Sequence, residues 1–265
     1  MTYQHLTVET DPRGVARVTL NRPEVKNAFN EQLIADITAA MNALSKDDNA
    51  RIVVLQGAGD AFSAGADLSW MKRASNFSAE ENLGDARRLA AMLNSIYTCE
   101  KPVVALIHGP CMGGGTGLAS ACDIVIASDD AFFALSEVRL GIIPAVISPF
   151  VLHAIGARQA RRFFLTGERF DAAKAKEIGL AHMVCLKVQM EETLDGVVKN
   201  LLACGPAAQG EAKKLIRIVA GRPVDDAVME ETAGIIARVR STPEGKEGVT
   251  AFLEKRKANW IRKAE

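Results

Sequence analysis

Three consecutive glycines, Gly113 to Gly115, stand in the stretch HGPCMGGGTGLASACD, between a strand-like apolar run and a helical run of small residues. Glycine loses more conformational entropy on folding than any other residue, so a triplet indicates that the backbone itself approaches another group. A phosphate-binding P-loop does not fit, because its lysine position is Gly115. A dinucleotide fingerprint does not fit either, since its third glycine position is Leu118. From this stretch alone, a tight turn between strand and helix is the simplest interpretation.

The size and charge of the chain narrow the classes of function. Its 265 residues suit one large domain, or a domain with an appendage. Lysine and arginine number 32 and balance 32 acidic residues, which disfavours nucleic acid as a partner. The 5 cysteines lack a C-x-x-C motif and predict reduced thiols without a metal site. The polar start and the lack of a bilayer-length apolar run predict a cytoplasmic protein without a membrane partner.

Hydrophobic periodicity predicts a mixed α/β chain. The segments HLTVET and VARVTL alternate around DPRG and predict a β-hairpin. RIVVLQG, KPVVALIHG, CDIVIAS and AFFAL are short apolar runs typical of buried strands. Helices are expected from Asn30 onward, within SAEENLGDARRLAAMLNSIYTCE, and across SPFVLHAIGARQARRFFLTG to Gly167. Beyond Cys204 helical patterns continue, so we expect an α/β body over residues 1–203 and a helical region over residues 204–265.

Two bends and one carboxylate are the candidate chemical groups. The second bend, DAFSAGADLSW, follows a predicted strand and carries small residues, as the glycine triplet does. Two main-chain amides from such bends, aimed at one point, form an oxyanion hole, and the helix start after the glycines favours negative charge there. Glu137 lies between a predicted strand and an apolar segment. It is interpreted either as a general acid/base or as a solvated loop acid.

Six motifs connect these segments with a known family. They are NRPEVKNAF, FSAGADL, HGPCMGGGTGLASACDIVIAS, FALSEVRLGIIP, RFFLTGERFDAAKAKEIGLAHMV and FLEKRKANW. Their order resembles that of the enoyl-CoA hydratase/isomerase (crotonase) superfamily, and FSAGADLSWM and LSEVRLGIIPAVISP are most similar to its methylglutaconyl-CoA hydratases. The resemblance implies an α/β fold, a crotonase-like spiral of ββα units with a C-terminal helical region. It also implies hydration of 3-methylglutaconyl-CoA or a related branched glutaconyl-CoA, in leucine or acyclic terpene breakdown, with no cofactor besides the coenzyme A of the substrate.

The resemblance further implies roles for single residues. The amides of Ala66 and Gly114 would hold the thioester oxygen as it becomes an enolate, and Glu137 would be the acid/base. Other positions match segments that contact the acyl-CoA thioester: Lys26, Ala28, Ala64, Asp67, Leu68, Gly113, Phe252 and Lys255. The last two would reach the ligand of a neighbouring subunit in a homo-oligomer, a trimer or a dimer of trimers, or else belong to a solvated helix face.

One position departs from the family pattern. Hydratases with two catalytic glutamates carry the second where this chain has Gly117. The departure fits glutaconyl-type hydratases, in which we hypothesise that a distal carboxylate of the substrate helps to order water, and it also fits a Δ3,Δ2-enoyl-CoA isomerase. Lys72, Arg73 and Arg139 are candidate partners of a distal carboxylate, unless they form surface salt bridges. An RNA-binding protein of the same fold is a third alternative, which the zero net charge disfavours.

Overall fold

The computed structural model describes residues 2–261 of the chain. Its strands are β1 (Leu6–Thr10), β2 (Val15–Leu20), β3 (Ile52–Gly57), β4 (Val103–Ile107), β5 (Pro110–Met112), β6 (Ile124–Ser128), β7 (Phe132–Ala134), β8 (Arg169–Asp171) and β9 (Met183–Cys185). Its α-helices are α1 (Glu31–Lys46), α2 (Leu68–Ala74), α3 (Ala79–Tyr97), α4 (Gly114–Ala121), α5 (Ser148–Thr166), α6 (Ala172–Glu177), α7 (Met190–Ala203), α8 (Pro206–Val219), α9 (Asp226–Ser241) and α10 (Pro243–Leu253). Short 3₁₀ turns lie at Pro23–Val25, Glu137–Leu140 and Lys187–Gln189.

A six-stranded sheet in the order β1-β2-β3-β4-β6-β9 forms the body of the fold. β1 and β2 pair antiparallel, as the pattern around DPRG predicts, and the other neighbours pair in parallel. All 5 residues of β4 are buried, which agrees with a strand covered on both faces. The predicted α/β class and the strands expected at β3, β4, β6 and β7 are confirmed.

A smaller sheet in the order β5-β7-β8 positions the candidate site. Its strands have 3 residues each, too few to show a period-two pattern, and neither β5 nor β8 is predicted by the sequence. β5 runs into the glycine triplet, and β7 leads to the turn that begins at Glu137. Because β5 and β7 pair in parallel, their carboxyl ends bring the triplet and Glu137 to the same edge of the sheet.

The helices follow the predicted apolar faces, with one interruption. The helix α1 packs against α3. Its apolar residues at helical spacing are buried: Leu33, Ile34, Ile37, Met41 and Leu44. The Asn30 side chain caps α1 by accepting from the Leu33 amide at 2.9 Å. The single helix predicted up to Gly167 is broken at Gly156, which has φ 70° and ψ 160°. Apolar periodicity does not reveal such a break, because the side chains on both sides still face the core.

The C-terminal part is helical, as predicted. α10 packs against α8 and α9, and several apolar side chains of α9 and α10 are exposed in the single chain: Met229, Ile236, Val249, Phe252 and Leu253. The domain boundary between residues 203 and 204 stays a prediction, and residues 1 and 262–265 lie outside the described part of the chain. Among the helices of residues 2–261, none combines the length and apolar character that a bilayer crossing requires.

Candidate active site

The glycine triplet opens α4 at the end of β5, and its glycines face packed neighbours. Gly113 has φ 50°, in the region that favours glycine, and a Cβ there would lie 3.3 Å from Oε1 of Glu137. A Cβ on Gly114 would lie 2.7 Å from the Phe29 ring, closer than a side-chain carbon can approach. The triplet therefore lets the turn lie directly against Glu137 and Phe29.

The second bend, residues 63–67, lies beside that turn. On one side the Phe29 amide donates to the Gly65 carbonyl at 2.7 Å, and the Asp67 amide donates to the Phe29 carbonyl at 2.9 Å. On the other side the Met112 amide donates to the Ser63 carbonyl at 2.9 Å. Met112 immediately precedes the glycine triplet, so these hydrogen bonds hold the two predicted bends next to each other.

The amides of Ala66 and Gly114 are both available to a ligand. In the bridge between Phe29 and Ala66 the neighbours of Ala66 make the hydrogen bonds, so the Ala66 N–H points away from Phe29. Gly114 is the first residue of α4, and the first amides of a helix have no partner within it. Within residues 2–261 neither amide donates to a protein acceptor, whereas the Gly113 amide donates to the Ala134 carbonyl at 2.8 Å. The two bends thus offer the donor pair that an oxyanion hole requires.

Glu137 begins the 3₁₀ turn after β7 and reaches the glycine turn with its carboxyl group. Its Oε2 is buried and has no hydrogen-bond partner among the described residues. Burial raises the pKa of the Glu137 carboxyl, and a hydrogen bond to its own backbone amide opposes the rise without cancelling it. A carboxyl group with a raised pKa and an open oxygen is suited to accept and return a proton. This environment favours the acid/base interpretation over that of a solvated loop acid.

We expect Glu137→Gln to stabilise the protein at neutral and alkaline pH. Because the pKa of Glu137 is raised in the folded state, the free energy of unfolding falls as pH rises from the ordinary value of 4.5 through the folded-state pKa. Glutamine carries no charge to bury and escapes this loss. The melting temperature of the variant should exceed that of the wild type at about pH 8, and the difference should vanish near about pH 4.

Glu247→Gln is a control for which we expect the opposite change in stability. A hydrogen bond from Arg256 lowers the pKa of Glu247 to about 2, so removal of its charge should destabilise the protein at about pH 8. That loss should disappear as the pH falls from 4.5 through about 2. If Glu137→Gln has no higher a melting temperature than the wild type at about pH 8, the Glu137 carboxyl group of the wild type is solvated and the site interpretation is wrong.

A buried ion pair supports the second bend. Arg22 Nη2 donates to Asp67 Oδ2 at 2.8 Å, and the two side chains are 11% and 6% exposed. Asp67 also caps α2 by accepting from the amides of Ser69 and Trp70 at 2.8 and 3.2 Å. Burial alone would raise the pKa of Asp67, but hydrogen bonds from the Ser69 hydroxyl, from Arg22 and from the two amides hold it well below its usual range. Asp67 directly follows Ala66, so the pair fixes the position of the Ala66 amide.

Arg22→Ala is expected to lower the free energy of unfolding by about 3–5 kcal/mol, because it leaves the Asp67 charge buried without its partner. Arg73→Ala is the matched control, since the Arg73–Glu31 pair is exposed and should contribute only about 0–1 kcal/mol. Urea denaturation of both variants at neutral pH measures the two losses. Equal losses would mean that Arg22 does not support the bend.

The predicted ligand residues of the second bend lie together. The Ala64 amide donates to the Lys26 carbonyl at 2.8 Å, which joins the NRPEVKNAF loop to the bend. Lys26 and Leu68 are exposed, Ala64 is half-buried and Ala28 is buried. The carboxylate of Asp67 is fully engaged within the protein, and its amide and carbonyl are hydrogen-bonded to Phe29 and Met71, so its predicted contact with the ligand stays a prediction.

Two predicted ligand residues lie elsewhere. Phe252 lies near the C-terminal end of α10 and is 82% exposed. Lys255 follows that helix and has φ 54°. Because α10 packs mainly against α8 and α9, the single chain does not bring these residues to Glu137. Their contact with the ligand of a neighbouring subunit stays a prediction, and their exposure fits a solvated helix face equally well.

The three candidate cations for a distal carboxylate differ in their surroundings. Arg73 Nη2 donates to both carboxylate oxygens of Glu31, at 2.9 and 2.8 Å. The Arg139 side chain lies against Gly167, where a Cβ would be 3.1 Å from its Nε, and so it points toward the end of α5. Lys72 is exposed in the last turn of α2 and has no carboxylate partner within residues 2–261. Lys72 and Arg139 thus both lack a carboxylate partner within residues 2–261, and of these two the Arg139 side chain is directed toward the end of α5.

Comparison with known proteins agrees with this geometry. The family described as enoyl-CoA hydratase/isomerase matches residues 10–263. A protein of Syntrophomonas wolfei named crotonyl-CoA hydratase is 34% identical over 268 residues, which cover 99% of this chain and 100% of that protein. An enoyl-CoA hydratase structure from Shewanella pealeana is 37% identical with a TM-score of 0.94, covering 97% of this chain and 96% of that one. The structure of Pseudomonas aeruginosa AtuE is 36% identical with a TM-score of 0.93, covering 98% and 100%. The chain therefore belongs to the enoyl-CoA hydratase/isomerase family, and it is an enzyme of the crotonase superfamily.

Proposed function

We propose that the protein adds water across the 2,3 double bond of 3-methylglutaconyl-CoA or a related branched, carboxylated enoyl-CoA. The family assignment and the relative named crotonyl-CoA hydratase support hydration of an enoyl thioester. The similarity of FSAGADLSWM and LSEVRLGIIPAVISP to methylglutaconyl-CoA hydratases supports a branched, carboxylated acyl group, and with it a place in leucine or acyclic terpene breakdown. Coenzyme A enters as part of the substrate, and the reaction needs no other cofactor.

One observation carries this proposal: the Glu137 carboxyl group, whose Oε2 has no partner among the described residues, lies against the glycine turn that carries one of the two free main-chain amides. The amides of Ala66 and Gly114 would bind the thioester oxygen. Negative charge grows on that oxygen during water addition. Each preorganised donor of this kind stabilises the transition state by about 3 kcal/mol. Burial of the carboxyl group excludes bulk water from the proton transfer.

The single carboxylate can perform both proton transfers. As the water oxygen bonds to C3, one water proton moves to the Glu137 carboxylate and the electrons of the double bond move to the thioester oxygen, which gives the enolate. The protonated Glu137 then gives a proton to C2, and the thioester carbonyl forms again. Water is thus added in full and the carboxylate is regenerated, as general acid/base catalysis requires.

Lys72 is the proposed partner of the distal carboxylate. Lys72→Met should lower kcat/KM for 3-methylglutaconyl-CoA by about 10–100-fold, the value of a hydrogen bond to a charged group, and leave crotonyl-CoA turnover unchanged. Arg73→Met is the control, because Arg73 is paired with Glu31. Equal effects of Lys72→Met on both substrates would remove Lys72 from this role.

An enoyl-CoA isomerase is the second candidate, and Gly117 is the observation that favours it. One acid/base suffices to move a proton between C2 and C4, and position 117 has no side chain to hold water. Absorbance of the conjugated enoyl thioester separates the two activities. The hydratase should decrease the absorbance of 3-methylglutaconyl-CoA, whereas an isomerase would create such absorbance from a 3-enoyl-CoA and would leave 3-methylglutaconyl-CoA unhydrated.

The exposed apolar side chains of α9 and α10 support a homo-oligomer, a trimer or a dimer of trimers. Phe252 and Leu253 are 82% and 72% exposed in the single chain, an unfavourable state for large apolar groups in water. Subunit contacts made by these helices would cover such residues. The same subunit contacts would also bring Phe252 and Lys255 to the ligand of a neighbouring subunit.

A further inference from the structure

The first turn of α4 separates Gly113, the residue before the helix, from the position of the absent second glutamate. Gly117 lies four residues after Gly113, and its amide donates to the Gly113 carbonyl at 3.1 Å. One turn of a helix rises about 5 Å along its axis. The Glu137 carboxyl group lies against Gly113, so position 117 stands about one helical turn from the residue that the acid/base contacts.

Ile147 covers Gly117. A Cβ at position 117 would overlap Cγ2 of Ile147 and would lie 2.6 Å from its Cβ, well inside the about 3.5–4.0 Å of a normal carbon contact. Rotation about χ1 moves Cγ2 but cannot move Cβ, so no rotamer of Ile147 admits a side chain at this position. The backbone at Ile147 is also anchored, because its carbonyl accepts from the Phe150 and Val151 amides at 3.1 Å each.

The contact makes this side of the site apolar. Ile147 is 2% exposed and belongs to the main hydrophobic core, so its side chain has no route outward. It offers no hydrogen bond to a water molecule or to Glu137, whose Oε2 has no partner among the described residues. An acidic side chain at position 117, where two-glutamate hydratases carry their second glutamate, would instead offer a hydrogen-bond acceptor.

We infer that Ile147 is a specificity-determining residue, which excludes a second carboxylate from position 117 and thereby restricts this site to one acid/base. This inference rests on the proposed hydratase function and deepens it. With an apolar group in the place of a carboxylate at position 117, the substrate itself must help to hold the water, and a carboxylated acyl group can do so. An uncharged enoyl-CoA cannot, and it is disfavoured for that reason.

The test is a set of variants in which space and acid are changed separately. Gly117→Glu alone adds a carboxyl group at position 117 without making room for it. Ile147→Gly alone removes the side chain that fills this place and adds no carboxyl group. The double variant Gly117→Glu/Ile147→Gly has both. Gly117→Glu/Ile147→Ala is the matched control, because alanine keeps the Cβ that lies 2.6 Å from a side chain at position 117. Ile147→Val retains Cβ and Cγ2 and should still exclude a side chain from position 117, with a small loss of stability for the buried methyl group that it removes.

Melting temperatures test the contact without any substrate. Both single variants should have lower melting temperatures than the wild type. The melting temperature of Gly117→Glu/Ile147→Gly should fall by less than the sum of the two decreases. The double variant with alanine should show no such recovery. Additive losses in the glycine double variant, or equal recovery with alanine, would overturn the inference even if the wild type hydrates 3-methylglutaconyl-CoA.

Hydration assays test the consequence. The glycine double variant should hydrate crotonyl-CoA at least about 10-fold faster than Ile147→Gly, with a smaller change for 3-methylglutaconyl-CoA, and such a change of selectivity is not expected from a structural role. Recovery of stability without a gain on crotonyl-CoA would overturn the role of Ile147 in specificity. A wild type that hydrates neither substrate would refute the proposed function, and the melting temperatures would still decide whether Ile147 excludes a side chain from position 117.

Discussion

Glu137→Gln is expected to lower kcat for enoyl-CoA hydration by about 10²–10⁴-fold, the usual contribution of a positioned general acid/base. Glutamine preserves the shape of the side chain and its place beside Gly113, but it can neither take a proton from water nor give one to C2. No second carboxylate is available at Gly117, so the loss should lie toward the upper end of this range. Steady-state hydration of 3-methylglutaconyl-CoA measures it.

The affinity for the substrate separates loss of chemistry from loss of folding. The carboxyl group of Glu137 is not required to bind the thioester, so KM should change much less than kcat. The higher melting temperature expected for the same variant would show that the inactive protein is folded. A variant that keeps more than about one tenth of the wild-type kcat would exclude Glu137 as the acid/base, since a general acid/base contributes far more.

The sequence predicts the parts of this fold that have a local cause. The hairpin around DPRG, the apolar face of α1 and the buried strand β4 follow from periodicity over five or more neighbouring residues. The two bends are also predicted, because small residues at the ends of strands require little context to be recognised. β5 and β8 have 3 residues each and depend on pairing with β7, so their own sequences do not indicate strands.

The contacts that define the site depend on tertiary packing and could not be predicted in this way. Arg22 and Asp67 are 45 residues apart in the chain, and each alone resembles an ordinary surface charge. Gly117 is recognisable as a departure from a family pattern, but nothing near it in sequence indicates that Ile147 fills its place. Arg139 lies next to the Glu137 turn in sequence and yet points to Gly167, because the short turn directs successive side chains to different sides.

The second large effect is expected from removal of a main-chain donor. Ala66→Pro deletes the N–H of residue 66 and should lower kcat/KM by about 10²–10³-fold, the loss observed when one donor of an oxyanion hole is removed. The hydrogen bonds that hold this segment use the Gly65 carbonyl and the Asp67 amide, and proline at position 66 leaves both groups in place. Ala66 does not have a positive φ, which proline could not adopt.

Ala66→Ser is the matched control for this variant, because it changes the side chain and keeps the N–H. It should retain activity within about threefold of the wild type, since exposed substitutions that remove no hydrogen bond have small effects. Coenzyme A without an acyl group provides a second control. It has no thioester oxygen, so its Kd should be the same for Ala66→Pro and the wild type if the lost donor serves that oxygen. Equal activity of the proline and serine variants would mean that the Ala66 amide does not bind the enolate, and the two bends would then need another role.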